Sequence, residues 1–461
     1  MTDIKDKVEK RPDEQELVAK RAARRKRRVR NQVIAYIVMF LFIGALAGGV
    51  FYGVTYLTEQ QRIEQEEQAS KDAMVSEDIE NVVGKEEDLV KPEPPVEEIP
   101  ELTPEQKLDE IINATIATMP IEDKVAGLFI VTPEAITNVS TATKAGEGTK
   151  TALSQYAVGG LVYFAKNIQS AEQLTEMLSN SKLYSRYPLF LAVDEEGGKV
   201  ARVAGAGLAE NIGSAQKLGE TGDHNVAYQA GLTLAGYLSP LGFNLDFAPV
   251  ADVNNVDKSV IGERSFGSDA TVVAQFVASM VKGLEEGGVS SCLKHFPGIG
   301  STTADTHKGL ATTRRTLAEF EAEEFAVFKA GIEAGADFVM VSHVQAPALN
   351  VDENGQEVML QSTLSESVVT GYLRETLGFE GVIITDAMNM GAISEYYESD
   401  EAAVRALKAG CDMILMPEDF STAYYGVIAA LLEGQISEER IDDSLRRIYR
   451  IKYADMLEQL Q

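Results

Sequence analysis

Short apolar runs alternate with longer amphipathic stretches from about residue 103 to the end of the chain. Eight runs of five or six residues are nearly continuously apolar, which is typical of parallel strands covered on both faces. The segments between them are long enough for helices, such as Ala171–Leu183, Leu317–Gly335 and Glu401–Gly410, where Gly410 provides a stop signal. The predicted strands are Gly127–Val131, Gly159–Phe164, Leu189–Val193, Asn244–Ala248, Ser291–His295, Phe338–His343, Gly381–Asp386 and Asp412–Met416.

Eight consecutive β–α units predict an α/β fold of the (β/α)8 TIM-barrel type, with residues 104–461 as a single catalytic domain. A doubly wound open sheet is the alternative. It is disfavoured because no glycine-rich phosphate-binding turn follows the first predicted strand.

Polar side chains stand at or near the C-terminal ends of five of the eight runs. A parallel barrel places all such ends on one rim, so we expect these groups to converge on one site. They are Asp194, Asp246, Lys294 with His295, His343 and Asp386. Asp246, like the nearby Asp252, is expected to hold loops rather than to react.

The loop after Lys294 and His295 carries Asp305 and His307. His307 is one of the four histidines of the chain. A spacing of two residues lets a turn bring the carboxylate against the imidazole. Such pairing orients the ring and favours its protonated form, as a proton donor and acceptor requires.

The N-terminal hundred residues have a different character. Residues 1–32 form a basic tail, 33–57 contain twenty-five residues without a charge, and 58–103 hold fifteen acidic against four basic residues. These features predict a cytoplasmic tail, one transmembrane helix and a disordered acidic linker, with the barrel outside the cell membrane. A cleaved signal peptide is the alternative for the apolar segment.

Charge and composition exclude several other classes of function. The net charge of −29 argues against nucleic acid as the main partner. Cys292 and Cys411 lie in or beside apolar runs and are interpreted as buried hydrophobic residues in preference to a disulfide. The histidines and carboxylates show no metal-ligand spacing, so we expect neither metal nor cofactor.

Several motifs together resemble family 3 of the glycoside hydrolases, in its β-N-acetylglucosaminidase (β-N-acetylhexosaminidase) branch. The resemblance spans roughly residues 104–461. The motifs are Lys294-His295-Phe296-Pro297-Gly298, Asp305-Thr306-His307, Ile384-Thr385-Asp386-Ala387-Met388, Asp194-Glu195-Glu196-Gly197-Gly198, Phe247-Ala248-Pro249-Val250 and Ile261-Gly262-Glu263-Arg264-Ser265-Phe266-Gly267.

The resemblance implies a retaining exo-glycosidase acting on peptidoglycan- or chitin-type fragments. It implies that Asp386 is the nucleophile, that His307 is the acid/base group and that Asp305 is its partner. The side chains that it implies for binding the sugar are Asp194, Arg202, Arg264, Lys294, His295 and His343. Three residues depart from the usual pattern of the family, namely Glu195, Lys199 and Ile299, and these put the fine substrate preference in question.

Three other functions stay open on the sequence. A histidine acid/base does not repel phosphate as a carboxylate would, so a β-N-acetylglucosaminide phosphorylase is possible. A broad β-glucosidase is another enzymatic alternative. The third is a non-catalytic barrel that binds the cell wall, although this reading leaves the intact catalytic residues without a role.

Overall fold

A computed structural model describes residues 102–306, 309–352 and 354–460. The predicted tail and transmembrane helix, nearly all of the linker, and His307 lie outside these ranges. Within them, no helix is both long and apolar enough to cross a bilayer.

All eight predicted strands are present, and they form one parallel sheet around the core. In sheet order the strands are β10, β1, β2, β3, β6, β7, β8 and β9. An isolated parallel bridge between Ile384 and Met413 joins the two end strands, so the barrel is nearly closed. The strands are β1 Phe129–Val131, β2 Gly160–Tyr163, β3 Phe190–Val193, β6 Leu245–Asp246, β7 Ser290–Phe296, β8 Phe338–Val341, β9 Val382–Thr385 and β10 Ile414–Leu415.

Helices cover the outside of the sheet and bury their apolar sides against the strands. They are α1 Pro104–Thr118, α2 Ile121–Ala126, α3 Pro133–Thr137, α4 Glu147–Gln155, α5 Ala171–Tyr184, α6 Ala215–Gly219, α7 Asn225–Leu241, α8 Ala270–Glu286, α9 Leu317–Ala322, α10 Glu324–Glu333, a π-helix Ser367–Thr376, α11 Gly391–Ser394, α12 Ser399–Ala409, α13 Phe420–Leu432, α14 Glu438–Lys452 and α15 Met456–Leu460.

One predicted helix is broken in the structure. The segment Leu317–Gly335 forms α9 and α10, because Glu323 leaves the helical conformation with φ −120° and ψ −77°. At this break Glu323 and Glu324 both reach Arg315, at 2.8 and 2.9 Å. The predicted stop at Gly410 is confirmed, since this residue ends α12 at φ 115°, where glycine is favoured.

A short antiparallel hairpin that the periodicity did not predict follows β3. Its strands are β4 Glu195–Gly197 and β5 Val200–Ala201. Gly197 and Gly198 turn it with φ of 89° and 58°. A Cβ on Gly197 would lie 2.5 Å from the carbonyl oxygen of Gly213, so only glycine fits there.

Both cysteines are free and fully buried, which confirms their interpretation as small hydrophobic residues.

Candidate active site

The predicted polar residues do converge at the C-terminal end of the barrel. The charged groups that affect the buried thiol of Cys292, within β7, come from several of these strand ends. Burial raises its pKa above the ordinary value, Lys294 opposes that effect, and the carboxylates of Asp194, Asp246 and Asp386 add to it. Groups from four different strands therefore act on one point of the barrel.

Lys294 forms the centre of the site. Its side chain is only 2% exposed, and its Nζ lies 2.8 Å from Asp194 Oδ1 and 2.6 Å from Glu196 Oε1. Burial alone favours the neutral amine, but Asp194 and Glu196 outweigh it and raise the pKa of Lys294. The ammonium group therefore stays charged at the floor of the site.

Arg264 makes the second cationic contact with Glu196. Its Nε and Nη2 lie 2.7 Å from the two carboxylate oxygens of Glu196, a bidentate geometry. Burial favours the neutral acid, but Lys294 and Arg264 lower the pKa of Glu196 to about 2. Glu196 is thus an ionised carboxylate shared by the buried Lys294 and the partly buried Arg264, a role that the sequence analysis did not assign to it.

The preceding residue, Glu195, points the other way. It is fully buried, and its carboxylate accepts hydrogen bonds from the backbone N–H groups of Val203 and Ala204 and from the hydroxyl of Tyr237, at 2.7, 2.9 and 2.9 Å. The carboxylate of Glu195, one of the departures from the family pattern, therefore faces the backbone that supports the hairpin and not Lys294.

Asp252 fixes His295. Its Oδ2 accepts hydrogen bonds from the ring Nδ1 at 2.7 Å and from the backbone N–H of His295 at 3.2 Å. The other ring nitrogen, Nε2, lies 3.3 Å from Arg264 Nη2. A guanidinium can only donate, so Nε2 accepts and the ring proton is on Nδ1. Asp252 thus has the supporting role expected of it.

Asp246 lies fully buried at the end of β6. Its Oδ1 accepts the backbone N–H of Glu195 at 2.9 Å, and its Oδ2 has no hydrogen-bond partner among the described residues. Burial is the main cause that raises the pKa of Asp246 well above its usual range, and Glu195 adds to it. Burial thus favours the neutral form of Asp246, and its hydrogen bond to the Glu195 backbone supports the hairpin.

Arg202 and Asp386 are both half-buried. Arg202 Nη2 lies 3.8 Å from Asp194 Oδ2, and its guanidinium lies over the ring of Phe164 at 5.8 Å. Asp386 directly follows β9 and is half-buried, and its Oδ1 accepts the backbone N–H of Ala387 at 2.7 Å.

The loop that carries Asp305 is joined to the loop that follows Asp386. The backbone N–H of Ala392 donates to the carbonyl oxygen of Thr306 at 3.1 Å. Asp305 is half-buried beside this contact. The structure therefore brings the loop of the predicted acid/base pair next to the loop of the predicted nucleophile, although His307 itself is not among the described residues.

The sequence of the barrel matches one protein family. Residues 120–451 match the model of the glycosyl hydrolase family 3 N-terminal domain. The chain belongs to glycosyl hydrolase family 3.

Named relatives fall within one branch of this family. The beta-hexosaminidase A of Pseudoalteromonas piscicida is 33% identical over 323 residues, which cover 65% of this chain and 54% of that protein. The beta-hexosaminidase of Nitrosomonas eutropha is 34% identical over 277 residues, 59% of this chain and 77% of the relative. The chain therefore spans about half the length of the first relative and about three quarters of the second.

Solved structures of family 3 proteins also match this chain. A family 3 beta-N-acetylglucosaminidase from Paenibacillus sp. matches with a TM-score of 0.67 and 33% identity, over 74% of this chain and 64% of that one. A family 3 member from Mycobacterium smegmatis matches with a TM-score of 0.64 and 31% identity, over 73% and 98%. The predicted family and its β-N-acetylhexosaminidase branch are confirmed, and the names of the relatives agree with the predicted class, glycosidases that hydrolyse O-glycosyl bonds.

The contacts of His343 show a structural role that the family resemblance did not imply. His343 is fully buried, with Nδ1 2.7 Å from the hydroxyl of Thr363 and Nε2 3.1 Å from the carbonyl oxygen of Ala387. Because a carbonyl oxygen only accepts, Nε2 carries a proton and donates. These contacts of His343 hold the backbone beside Asp386, and its expected role in binding the sugar stays a prediction.

The two other departures from the family pattern have simple surroundings. Ile299 is 6% exposed and packs in a small apolar cluster with Val250, Ile261, Ala311 and Val344. Lys199 is half exposed, 3.8 Å from Glu263. The backbone N–H of Ile299 donates to Oδ1 of Asp252, the residue that holds His295, at 2.6 Å.

Within the described residues, no group of three or more His, Cys, Asp or Glu side chains is arranged to hold a metal ion.

Proposed function

We propose that this protein is a retaining exo-β-N-acetylglucosaminidase that acts on peptidoglycan- or chitin-type fragments. The observation that carries the proposal is the half-buried carboxylate of Asp386. It lies at the same barrel rim as Lys294 and its partners Asp194 and Glu196. The names of the relatives, beta-hexosaminidase and beta-N-acetylglucosaminidase, support the sugar class.

The proposed chemistry has two steps. The Asp386 carboxylate attacks the anomeric carbon while His307 gives its proton to the departing glycosidic oxygen, which leaves a glycosyl ester on Asp386. Water then attacks the same carbon, His307 takes a proton from it, and the ester bond to Asp386 breaks. Asp305 orients and stabilises the imidazolium through both steps.

Binding of the sugar is assigned to the groups around Lys294. Asp194 and Glu196 offer acceptors, whereas Lys294, Arg264 and Arg202 offer only donors. Since a sugar hydroxyl both donates and accepts, neighbouring acceptors and donors in fixed positions match a ring of hydroxyl groups. Their buried salt bridges hold these positions before the substrate arrives.

We also propose that the barrel works outside the cell membrane, anchored by the apolar segment 33–57 with the basic tail inside. Support for this comes from the sequence alone, through its uncharged length and its positive N-terminal flank.

The test is the product formed from a β-N-acetylglucosaminide by the wild-type protein and by Asp386→Ala. Proton NMR of the first product should show the β anomer of the free sugar, and Asp386→Ala should show no turnover, while the exposed control Asp455→Ala keeps wild-type activity. An α anomer, or normal turnover by Asp386→Ala, would refute the covalent mechanism. A sugar 1-phosphate formed in phosphate buffer would instead establish phosphorolysis, and preference for a β-glucoside would refute the N-acetyl assignment.

A further inference from the structure

The loop that carries Asp305 begins at Pro297, after β7, and ends at Thr316, before α9. Its two stems lie close together, since the hydroxyls of Ser301 and Thr313 are 2.7 Å apart. The described part of the loop contacts the Asp386 side of the site through Thr306. What holds the stems therefore determines where Asp305 is placed.

Glu324, the first residue of α10, lies against the first stem. Its side chain is fully buried. A Cβ added to Gly298 would lie 2.5 Å from Glu324 Cγ, so the backbone of the stem rests directly on this side chain. Glycine at 298, with φ 127°, permits the approach.

The same carboxyl group holds the second stem through Arg315. Glu324 Oε2 lies 2.9 Å from Arg315 Nε, although this N–H is not aligned for a hydrogen bond. Arg315 Nη2 lies 2.8 Å from Glu323 Oε2 and donates to the carbonyl oxygen of Glu319 at 3.2 Å. Arg315 is 11% exposed, so the pair is shielded from solvent.

Asn255, in the loop after β6, completes the cluster. Its Nδ2 donates to Glu323 Oε2 at 3.1 Å and to Glu324 Oε1 at 3.5 Å. Glu324 is therefore placed where the two stems of the loop and a third loop of the barrel rim meet.

We propose that Glu324 is a positioning residue for proton transfer: paired with Arg315, it fixes both stems of the Asp305 loop and so sets the position of the acid/base group. The inference rests on the proposed function, because it assumes that the loop delivers the proton to the leaving oxygen. A displacement of about 1 Å at a reacting group can cost on the order of 10²-fold in rate, so the fixing of the stems has kinetic consequences.

This role has a kinetic signature that general loss of stability lacks. A poor leaving group, such as a second sugar, needs the proton, whereas a dinitrophenolate leaves without it. Since kcat/KM reports the first step only, misplacement of the acid lowers kcat/KM for the disaccharide and leaves it unchanged for the aryl glycoside. A damaged fold lowers both alike.

The charge of Glu324 sets the pH of the experiment. Burial is the main cause that raises the pKa of Glu324 to about 7; the Arg315 charge opposes it and Glu323 adds to it. At pH 8 the carboxylate is mainly ionised, so replacement by glutamine removes the charge that pairs with Arg315.

The experiment compares full-length wild type, Glu324→Gln and the control Glu333→Gln, which makes the same change at an exposed position of α10. At pH 8, Glu324→Gln should lower kcat/KM on N,N′-diacetylchitobiose by about ten-fold or more. On the 2,4-dinitrophenyl β-N-acetylglucosaminide its kcat/KM should change by no more than about two-fold. Arg315→Lys should reproduce the pattern, and Glu333→Gln should match wild type on both substrates.

Equal losses on the two substrates, or no loss on either, would overturn the inference. Asp305→Ala separates it from the proposed function, because that variant should lose activity selectively on the disaccharide whatever Glu324 does. If Asp305→Ala lacks this selectivity, the proposed acid/base role itself fails, and the inference about Glu324 falls with it.

Discussion

Replacement of Glu196 by glutamine tests the electrostatic core of the site most directly. The substitution keeps the shape of the side chain and removes the charge that Lys294 and Arg264 share at 2.6 and 2.7 Å. Lys294 keeps Asp194 as a partner, so the uncompensated charge falls mainly on Arg264. We expect the folded protein to lose stability because the partly buried Arg264 cation is left without its main counter-charge.

The size of the loss follows from the pKa of Glu196. Its pKa falls from 4.5 to about 2 in the folded protein, against burial and through Lys294 and Arg264. At about 1.4 kcal/mol for each pKa unit, the ionised form contributes on the order of 3 kcal/mol to the free energy of unfolding at neutral pH. This agrees with the roughly 3–5 kcal/mol that removing one partner of a buried pair costs.

The pH dependence has a definite direction. The folded pKa lies below the unfolded value, so the contribution of Glu196 is fully present above pH 4.5 and is lost as the pH falls toward 2. The difference between wild type and Glu196→Gln should therefore be largest at neutral pH and shrink below about pH 4.5.

Urea unfolding followed by far-UV circular dichroism measures the difference in stability between wild type and Glu196→Gln. Circular dichroism is preferred because the chain has no tryptophan for fluorescence. Glu263→Gln is the matched control, because Glu263 is 48% exposed and forms only a 3.8 Å surface contact. If Glu196→Gln is as stable as wild type at pH 7, or if the difference does not depend on pH below 4.5, the description of Glu196 as a shared buried anion is wrong.

Two further predictions concern other parts of the molecule. Burial, together with nearby Asp337, raises the pKa of Glu285 above its ordinary value of 4.5, so folding takes up a proton and stability falls as the pH rises above that value. Glu285→Gln should remove this decline, by up to about 1.4 kcal/mol per pH unit in unfolding experiments, and an unchanged slope would contradict the assignment. For the membrane anchor, protease added to intact cells should cleave the barrel from the segment 33–57, and protection of the whole chain would contradict the proposed orientation.

The sequence was sufficient to predict the strands and their polar ends. Continuous apolar runs mark buried parallel strands, and a parallel barrel places Asp194, Lys294 and Asp386 on one rim whatever the details of the helices. The structure confirms the eight strands and the convergence. Roles for these residues in catalysis remain predictions.

The sequence was not sufficient for features that depend on local geometry. The role of Glu196 requires the hairpin after β3, whose strands of two and three residues are too short to give a periodic signal. The alternation of side chains along a strand was the available clue to the role of Glu196. Asp194 and Glu196 lie two residues apart, so on a strand their side chains share a face. The break at Glu323 was equally hidden, since Leu317–Gly335 has continuous helical character and the break depends on contacts with Arg315 across the loop.

The hairpin also limits how this site can change in length. Along β4, Glu195 faces the supporting backbone and Glu196 faces the two cations, so a shift of one residue exchanges their environments. Deletion of either glutamate would bring Gly197 to the position that faces Lys294 and Arg264, so both cations would lose the carboxylate that they share. Point substitutions alter individual contacts here, but changes in length alter all of them at once, so length variation should be tolerated in other loops of the rim before it is tolerated in this one.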